Sequence, residues 1–272
     1  MSAQPPPLFV PARHVADPAE CTFYHYEELP EVGLVGSQWD LRGVEEAYLG
    51  GVTLSGRRVR EMGSASGYLC RAMEKRGADV VSFDLSPEGS WDFAPFAGLD
   101  VAAARAEMKR QIHRLNNAWW LAHRVCGSRA HVVYGNVYDV PEAIGPVDVA
   151  TFGAILLHLR DPFRALESAL RLTRETVAVT EVHPEQPKGS AFGSVFPSGT
   201  LRKVHPGTLV FLPDPQATDA FAGTTWWSLP PEAIRRFLGV LGFGQTRVVE
   251  HEPLFQGRKV RMYTVVGTRT RR

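Results

Sequence analysis

The pattern of apolar and polar positions changes character several times along the chain. Residues 1–20 are rich in Pro and Ala and read as a loose leader. The stretch from Phe23 to Tyr48 sets Phe23, Tyr24, His25, Tyr26, Trp39 and Tyr48 among polar residues, which suits a lid or pocket wall. Regular alternation begins at Arg57. Residues 59–62 read as a short strand entering a Gly/Ser loop, and 66–76 as a helix with Leu69, Cys70 and Met73 on one face and Gly77 as its stop. Residues 79–84 form the next strand. Over 102–126, Met108, Ile112, Leu115, Trp119 and Ala122 recur in steps of four and three, the mark of a long amphipathic helix. A third strand at 131–134, a fourth at 147–152, a helix at 164–173 and a fifth strand at 176–182 follow.

Residues 183–229 break this rhythm. They are rich in Gly, Pro, Thr and aromatics and too long for a plain connection, so they read as an insertion over an active site. Pro230-Pro231-Glu232 opens a helix, with Gly242 just past its end, and 245–250 with 259–268 form a closing hairpin. Strands alternating with helices predict an α/β fold, a doubly wound, mostly parallel, Rossmann-like sheet of seven strands with one antiparallel member. The expected division is a leader and lid over 1–50 and one main domain over 51–272. No internal repeat is visible.

Charge and cysteine content narrow the function. The 272 residues carry 30 Lys+Arg against 29 Asp+Glu, without the basic excess of a protein that grips a long nucleic acid. Only Arg269, Arg271 and Arg272 form a basic tail. Cys21, Cys70 and Cys126 are odd in number and scattered, which argues against a disulfide framework or a zinc site and for a reducing cytoplasm. The start, Met1-Ser2-Ala3-Gln4-Pro5-Pro6-Pro7, has no signal pattern, and no apolar run has the length of a membrane span. A cytoplasmic protein without a metal or membrane partner is expected; a homo-oligomer is left open.

The candidate chemistry starts at Glu61-Met62-Gly63-Ser64-Ala65-Ser66-Gly67, between a predicted strand and a predicted helix. Gly63, Ser64, Ala65 and Gly67 allow a tight turn close to a ligand, and the helix start offers free N–H groups to an anion. Asp84 ends the next strand about twenty residues on, followed by Leu85, where a carboxylate accepts ribose hydroxyls. The pattern is E-x-G-x-x-x-G, and Glu61 in place of a first glycine argues against NAD. Gly135-Asn136-Val137-Tyr138 and Phe152-Gly153-Ala154-Ile155 follow the third and fourth strands, at the same sheet edge. Four such sites in this order point to S-adenosylmethionine (SAM): its methionine carboxylate at the helix start, its adenine held by Asn136 and flanked by Val137 or Tyr138.

The stretches FYHYEELPEVGLVGSQWDLRG, VREMGSASGYLC, VVSFDLS, VVYGNVYDVP, ILLHLRDPFRALE and TTWWSLPPEAIRRFLGVLGF, spanning roughly 22–265, carry a resemblance. The chain resembles the class I SAM-dependent methyltransferase family that includes the tRNA wobble-uridine carboxymethyltransferase and many bacterial small-molecule methyltransferases. Within it, the chain is most similar to the natural-product indole C3-methyltransferases that start pyrroloindoline formation. The resemblance implies a Tyr/His constellation as base, here Tyr24, His25 and His158. Family members carry Asp where this chain has Asn136; an amide oxygen still accepts the adenine hydrogen bond.

Other residues become acceptor-site candidates by position. His158 follows the fourth strand, where the alternative is a core histidine satisfied by backbone. On an extended segment, Tyr24 and His25 turn to opposite sides. Trp39 and Arg42 are placed above SAM, with Arg42 pairing the carboxylate. Asn117 and Trp120 on the long helix, His183 after the fifth strand, and Trp226 and Trp227 closing the insertion are the candidate substrate contacts, one Trp stacking on a flat aromatic acceptor. The function expected is C3-methylation of an indole. The alternatives are O- or N-methylation of another natural product, a tRNA-modifying enzyme, or a non-catalytic SAM-binding subunit.

Overall fold

The structure is a computed structural model that describes residues 8–187, 190, 192, 205–217 and 222–271. Its main sheet has seven strands: β1 (Arg58–Met62), β2 (Asp79–Asp84), β3 (His131–Tyr134), β4 (Val147–Gly153), β5 (Thr173–Val182), β6 (Gln245–His251) and β7 (Met262–Thr268). They lie in the order β3-β2-β1-β4-β5-β7-β6, all neighbours parallel except β7, which is antiparallel to both β5 and β6. The expected doubly wound, mostly parallel sheet with one antiparallel strand is therefore present. Helices α1 (Tyr68–Glu74), α2 (Val101–Val125), α3 (Pro162–Leu170) and α4 (Pro231–Val240) cross between strands. One core, with Val59, Leu69, Met73 and Trp119, fills the α1/α2 face; the other, with Met62, Phe83, Phe152, Leu166 and Ile234, fills the α3/α4 face. Both faces of the sheet are thus covered by helices and buried. Strand order reverses between β1 and β4, which puts at their C-terminal ends the switch point where open α/β sheets form a ligand crevice.

Several boundaries differ from expectation, each for a local reason. Helix α1 starts at Tyr68, not 66, because Gly67 at φ +79° caps it in the left-handed region. Six of its seven residues are buried, so it has no single apolar face. Helix α3 starts at Pro162, not 164: Asp161 accepts the Arg164 N–H at 3.0 Å and proline suits the first turn. It ends at Leu170, and β5 begins at Thr173, where it pairs with Val147. Strand β7 begins at Met262, not 259. Arg258–Lys259 instead pairs with Leu254–Phe255, which pairs with Trp39–Asp40. That small sheet laces the N-terminal segment to the closing hairpin.

Residues 8–20 are not a loose leader. The Val10 N–H donates to Val132 O on the edge strand β3, at 2.8 Å. Arg114 donates to Ala19 O and Cys21 O, and Arg124 to Val15 O. The leader thus covers an open sheet edge. Arginine-to-carbonyl bonds of this kind leave no periodic signal in a sequence. Residues 1–7 of the leader, Arg272 of the basic tail, and 188–189, 191, 193–204 and 218–221 of the insertion lie outside the described residues. Within the insertion, Val210–Phe211 pairs antiparallel with Trp227–Ser228. Among the described residues no helix is long and apolar enough to cross a membrane, and no cluster of His, Cys, Asp or Glu is placed to hold a metal.

Candidate functional site

The turn from β1 into α1 uses three left-handed residues: Gly63 at φ +76°, Ala65 at +50° and Gly67 at +79°. The side chains excluded there would meet the protein itself. A Cβ on Gly63 would lie 2.5 Å from Ile155 Cγ2, and one on Gly67 2.6 Å from Trp119 Cδ1. Packing therefore requires these glycines as much as close approach by a ligand does.

Asp84, at the end of β2, clamps this loop. Its Oδ2 accepts the Ala65 N–H at 2.8 Å and the Ser64 hydroxyl at 3.3 Å, and its Oδ1 accepts the Leu85 N–H at 2.7 Å. Ser64 Oγ also lies 2.6 Å from Ser82 Oγ. The Ser64 contact is the longest at Asp84, and Ser64 keeps a second partner. Of the three, that contact is therefore the one an incoming hydroxyl would displace at the least cost. Burial raises the Asp84 carboxyl above its ordinary value, opposed by these hydrogen bonds.

Glu61 is buried at the end of β1 and accepts the Cys70 thiol at 2.7 Å. Burial pushes its carboxyl up to about 7, the Cys70 bond opposing and Asp84 reinforcing the shift. Arg71, the nearby cation, is committed to the buried carboxylate of Glu27 through a two-point ion pair. Among the described residues, the ends of β1 and β2 thus present two carboxyl groups whose nearby cation, Arg71, is already paired.

At the next two strand ends, backbone dominates. Asn136 is exposed, and its Oδ1, the expected acceptor for the adenine amino group, already accepts the Tyr138 N–H at 3.0 Å. Val137 is half-buried against the α3/α4 core. Phe152 is 1 % exposed and packs in that core, so only its backbone borders the crevice. Gly153 is half-buried at the tip of β4.

The aromatic N-terminal segment lies on the glycine loop. The Tyr24 and His25 N–H groups both point to Ser66 Oγ, at 3.3 and 3.5 Å. The Tyr24 hydroxyl accepts Trp39 Nε1–H at 3.2 Å, and Trp39 packs on Phe192 and Phe255. Alternation does not separate Tyr24 from His25: their rings meet edge to face at 5.0 Å. His25 is buried beside Tyr68, its Nδ1 without a partner among the described residues, and burial, helped by Arg71, lowers it to about 3. It stays a neutral, sealed ring. Arg42 is exposed and holds Asp40 by two bonds, so its guanidinium is engaged outside the crevice.

His158 ends a single helical turn, Leu156–His158, after β4. Its Nδ1 lies 2.8 Å from Thr224 O. A carbonyl only accepts, so Nδ1 carries the proton and Nε2 keeps its lone pair. Burial lowers the ring below its ordinary value, partly offset by that bond. The core reading is met at one nitrogen only. The insertion is fastened here: the Trp226 N–H donates to Leu157 O at 2.7 Å, and Trp227 Nε1–H to Arg160 O at 3.3 Å. The Arg160 guanidinium covers one Trp226 face at 5.0 Å, and Trp227 meets Phe211 edge-on. Both indoles therefore already pack on protein.

Asn117 and Trp120 depart from the expected pocket wall. Each is 3 % exposed. The Asn117 amide donates to Glu20 O and accepts from Arg13, and Trp120 Nε1–H donates to the Tyr134 hydroxyl. They brace the leader and β3 instead. His183 follows β5; its Nδ1 lies 3.0 Å from the Glu185 N and 3.2 Å from the Glu185 O, so the ring is engaged by its own turn.

Sequence reasoning missed Glu181. It is 1 % exposed near the end of β5, and its Oε1 accepts the Leu156 N–H at 2.8 Å, holding the turn that carries His158. Burial pushes its carboxyl up to about 8. The one signal was a Glu within the apolar run TVAVTEV.

No protein-family model and no curated protein sequence matches the chain. Solved structures do. Magnesium protoporphyrin IX methyltransferase (ChlM) from Synechocystis PCC 6803, with bound S-adenosylhomocysteine (SAH), aligns over 85 % of this chain and 82 % of its own, at 15 % identity and a TM-score of 0.51. A SAM-dependent methyltransferase from Aquifex aeolicus aligns over 85 % and 90 %, at 14 % identity and 0.49. The N-terminal domain of EvdMO1 with SAH bound aligns over 84 % and 79 %, at 18 % identity and 0.48. Together with the strand order and the antiparallel β7, the first of these shows the fold: the chain has the Rossmann-like fold of class I SAM-dependent methyltransferases.

Proposed function

We propose that the chain is a SAM-dependent methyltransferase of specialised metabolism acting on a small aromatic acceptor, with C3 of an indole as the preferred atom. Residues 1–50 serve as leader and lid, and 51–272 as the catalytic domain with its insertion at 183–229. The carrying observation is the acidic rim at the switch point. Asp84 and Glu61, at the ends of adjacent strands, flank a left-handed loop, and among the described residues the nearby cation, Arg71, is already paired with Glu27. That rim favours a ligand with ribose hydroxyls and cationic ammonium and sulfonium groups. Bound SAM supplies a methyl group on sulfur, already activated for displacement. In this reading Asp84 takes the ribose, Glu61 the ammonium end, and Asn136, Val137 and the Gly153 backbone the remaining edge.

The protein must then align the acceptor, exclude water and remove one proton. His158 suits the last task, because Thr224 fixes its tautomer and its Nε2 lone pair is left over. His25 suits it less: among the described residues its Nδ1 is buried and has no partner. Tyr24 is held protonated by burial and bonded to Trp39, which supports a role in shaping the acceptor space.

The test is an acceptor screen that reads SAH formation with indoles, phenols and tRNA side by side, followed by NMR of the methylated product. Turnover of an indole, lowered about 10²- to 10⁴-fold in His158→Ala, is the expected outcome. Full turnover by the variant would remove His158 from the reaction. Methylation of a phenol or tRNA alone would reassign the acceptor.

A further inference from the structure

One short segment grips His158 from two directions. Residues 92–96 follow the end of β2, and buried Phe93 anchors them against Ala104 and Met108 of α2. The Asp92 carboxyl accepts twice at Oδ2. One donor is the Tyr138 hydroxyl, beyond β3; the other is the Arg160 N–H at 2.9 Å, two residues past His158. The Tyr138 hydroxyl in turn accepts the Asp161 N–H at 3.2 Å. Glu181 holds the start of the His158 turn through the Leu156 N–H, and Asp92 holds its exit.

The second grip is on the insertion. The Ala94 N–H donates to Gly223 O at 2.9 Å. Gly223 is buried and precedes Thr224, whose carbonyl accepts from His158 Nδ1. The approach is close: a Cβ on Gly223 would lie 2.8 Å from Phe96 Cε2 and 3.1 Å from Ala94 N. The histidine's own turn and the carbonyl that sets its tautomer are therefore held by the same segment.

That common hold matters because the ring bond is distance-sensitive. A slip of about 1 Å between the turn and Thr224 takes a 2.8 Å contact out of hydrogen-bond range. The proton is then free to sit on either nitrogen, and Nε2 loses its lone pair in part of the molecules. We propose, resting on the reading of His158 as the base, that Asp92 is a positioning residue that fixes the His158 turn against Thr224 and so keeps the Nε2 lone pair available. It acts through the backbone of the turn and touches no reacting atom.

Nitrogen-15 NMR of ring-labelled histidine at neutral pH tests this, with the His158 signals assigned by their absence from His158→Ala. Wild type should show the Nδ1–H tautomer alone. Asp92→Ala should show both tautomers and a kcat about 10- to 100-fold lower, while KM for SAM moves much less. Asp92→Asn keeps an acceptor for the Arg160 N–H and should restore the single tautomer. Gly223→Ala forces the segment and the insertion apart from the other side and should loosen the tautomer as Asp92→Ala does. A single, unchanged tautomer in whichever of Asp92→Ala and Gly223→Ala retains a cooperative melting transition would overturn the role of Asp92. The tautomer is read without turnover, so that result stands apart from the base reading, which fails if His158→Ala keeps full turnover.

Discussion

Glu61 shows how one carboxylate changes meaning with its surroundings. From sequence it was an acid at the position where a dinucleotide loop has glycine. In the fold it is buried against Cys70 and raised from 4.5 to about 7. A cationic ligand needs the ionised form, so SAM affinity should rise as pH goes from about 6 to about 8 and then level off. Glu61→Gln should bind more weakly and without that slope. Calorimetry across this range checks both statements; affinity that falls with rising pH would contradict the pairing. The free protein responds with the opposite sign. A raised carboxyl stabilises the fold below its ordinary value and loses that contribution as pH passes through the raised one, here between about 4.5 and 7. At this scale the placement of Glu61 and Asp84 at adjacent strand ends was legible because loop and strand end lie at a readable spacing. The state of His158 was not, since Thr224 stands 66 positions away and sets its tautomer.

Elements were legible where apolar periodicity was strong. Asp79–Asp84 and His131–Tyr134 occur with the expected bounds, and α2 is displaced by one residue at each end. Misplaced ends trace to chemistry outside periodicity: the Asp161 cap on α3, the left-handed Gly67 before α1, and the hairpin pairing to Trp39–Asp40. One strand position also conflicts with its surroundings. Arg60 in β1 is fully buried; its Nη2 donates to Ala169 O at 2.5 Å, while Nε and Nη1 lack partners among the described residues. Burial lowers its guanidinium to about 10, so it remains charged at neutral pH. An incompletely paired buried charge is often neutral or favourable to replace with an apolar side chain of similar size. Arg60→Met should raise the melting temperature, by roughly 2–4 °C per kcal/mol gained. Loss of several degrees in thermal denaturation would show that the Ala169 contact outweighs desolvation.

The whole molecule joins its two ends at the site. Trp39–Asp40 pairs with Leu254–Phe255, Tyr24 and His25 rest on Ser66, and Thr224 and Trp226 hold the His158 turn. Long-range bonds of this kind explain why the sheet was readable from sequence while the acceptor space was not. Strand order follows from alternation, whereas Asn117 and Trp120 look like pocket residues until the leader they brace is in place. The near-neutral charge fits a small acceptor better than a polyanion. Titration of the wild-type chain with SAM in a calorimeter tests the central claim most directly. Saturable uptake of one SAM per chain, markedly weakened in Asp84→Asn, is the expected result; no saturable binding up to about 1 mM SAM would contradict the cofactor assignment and the function built on it.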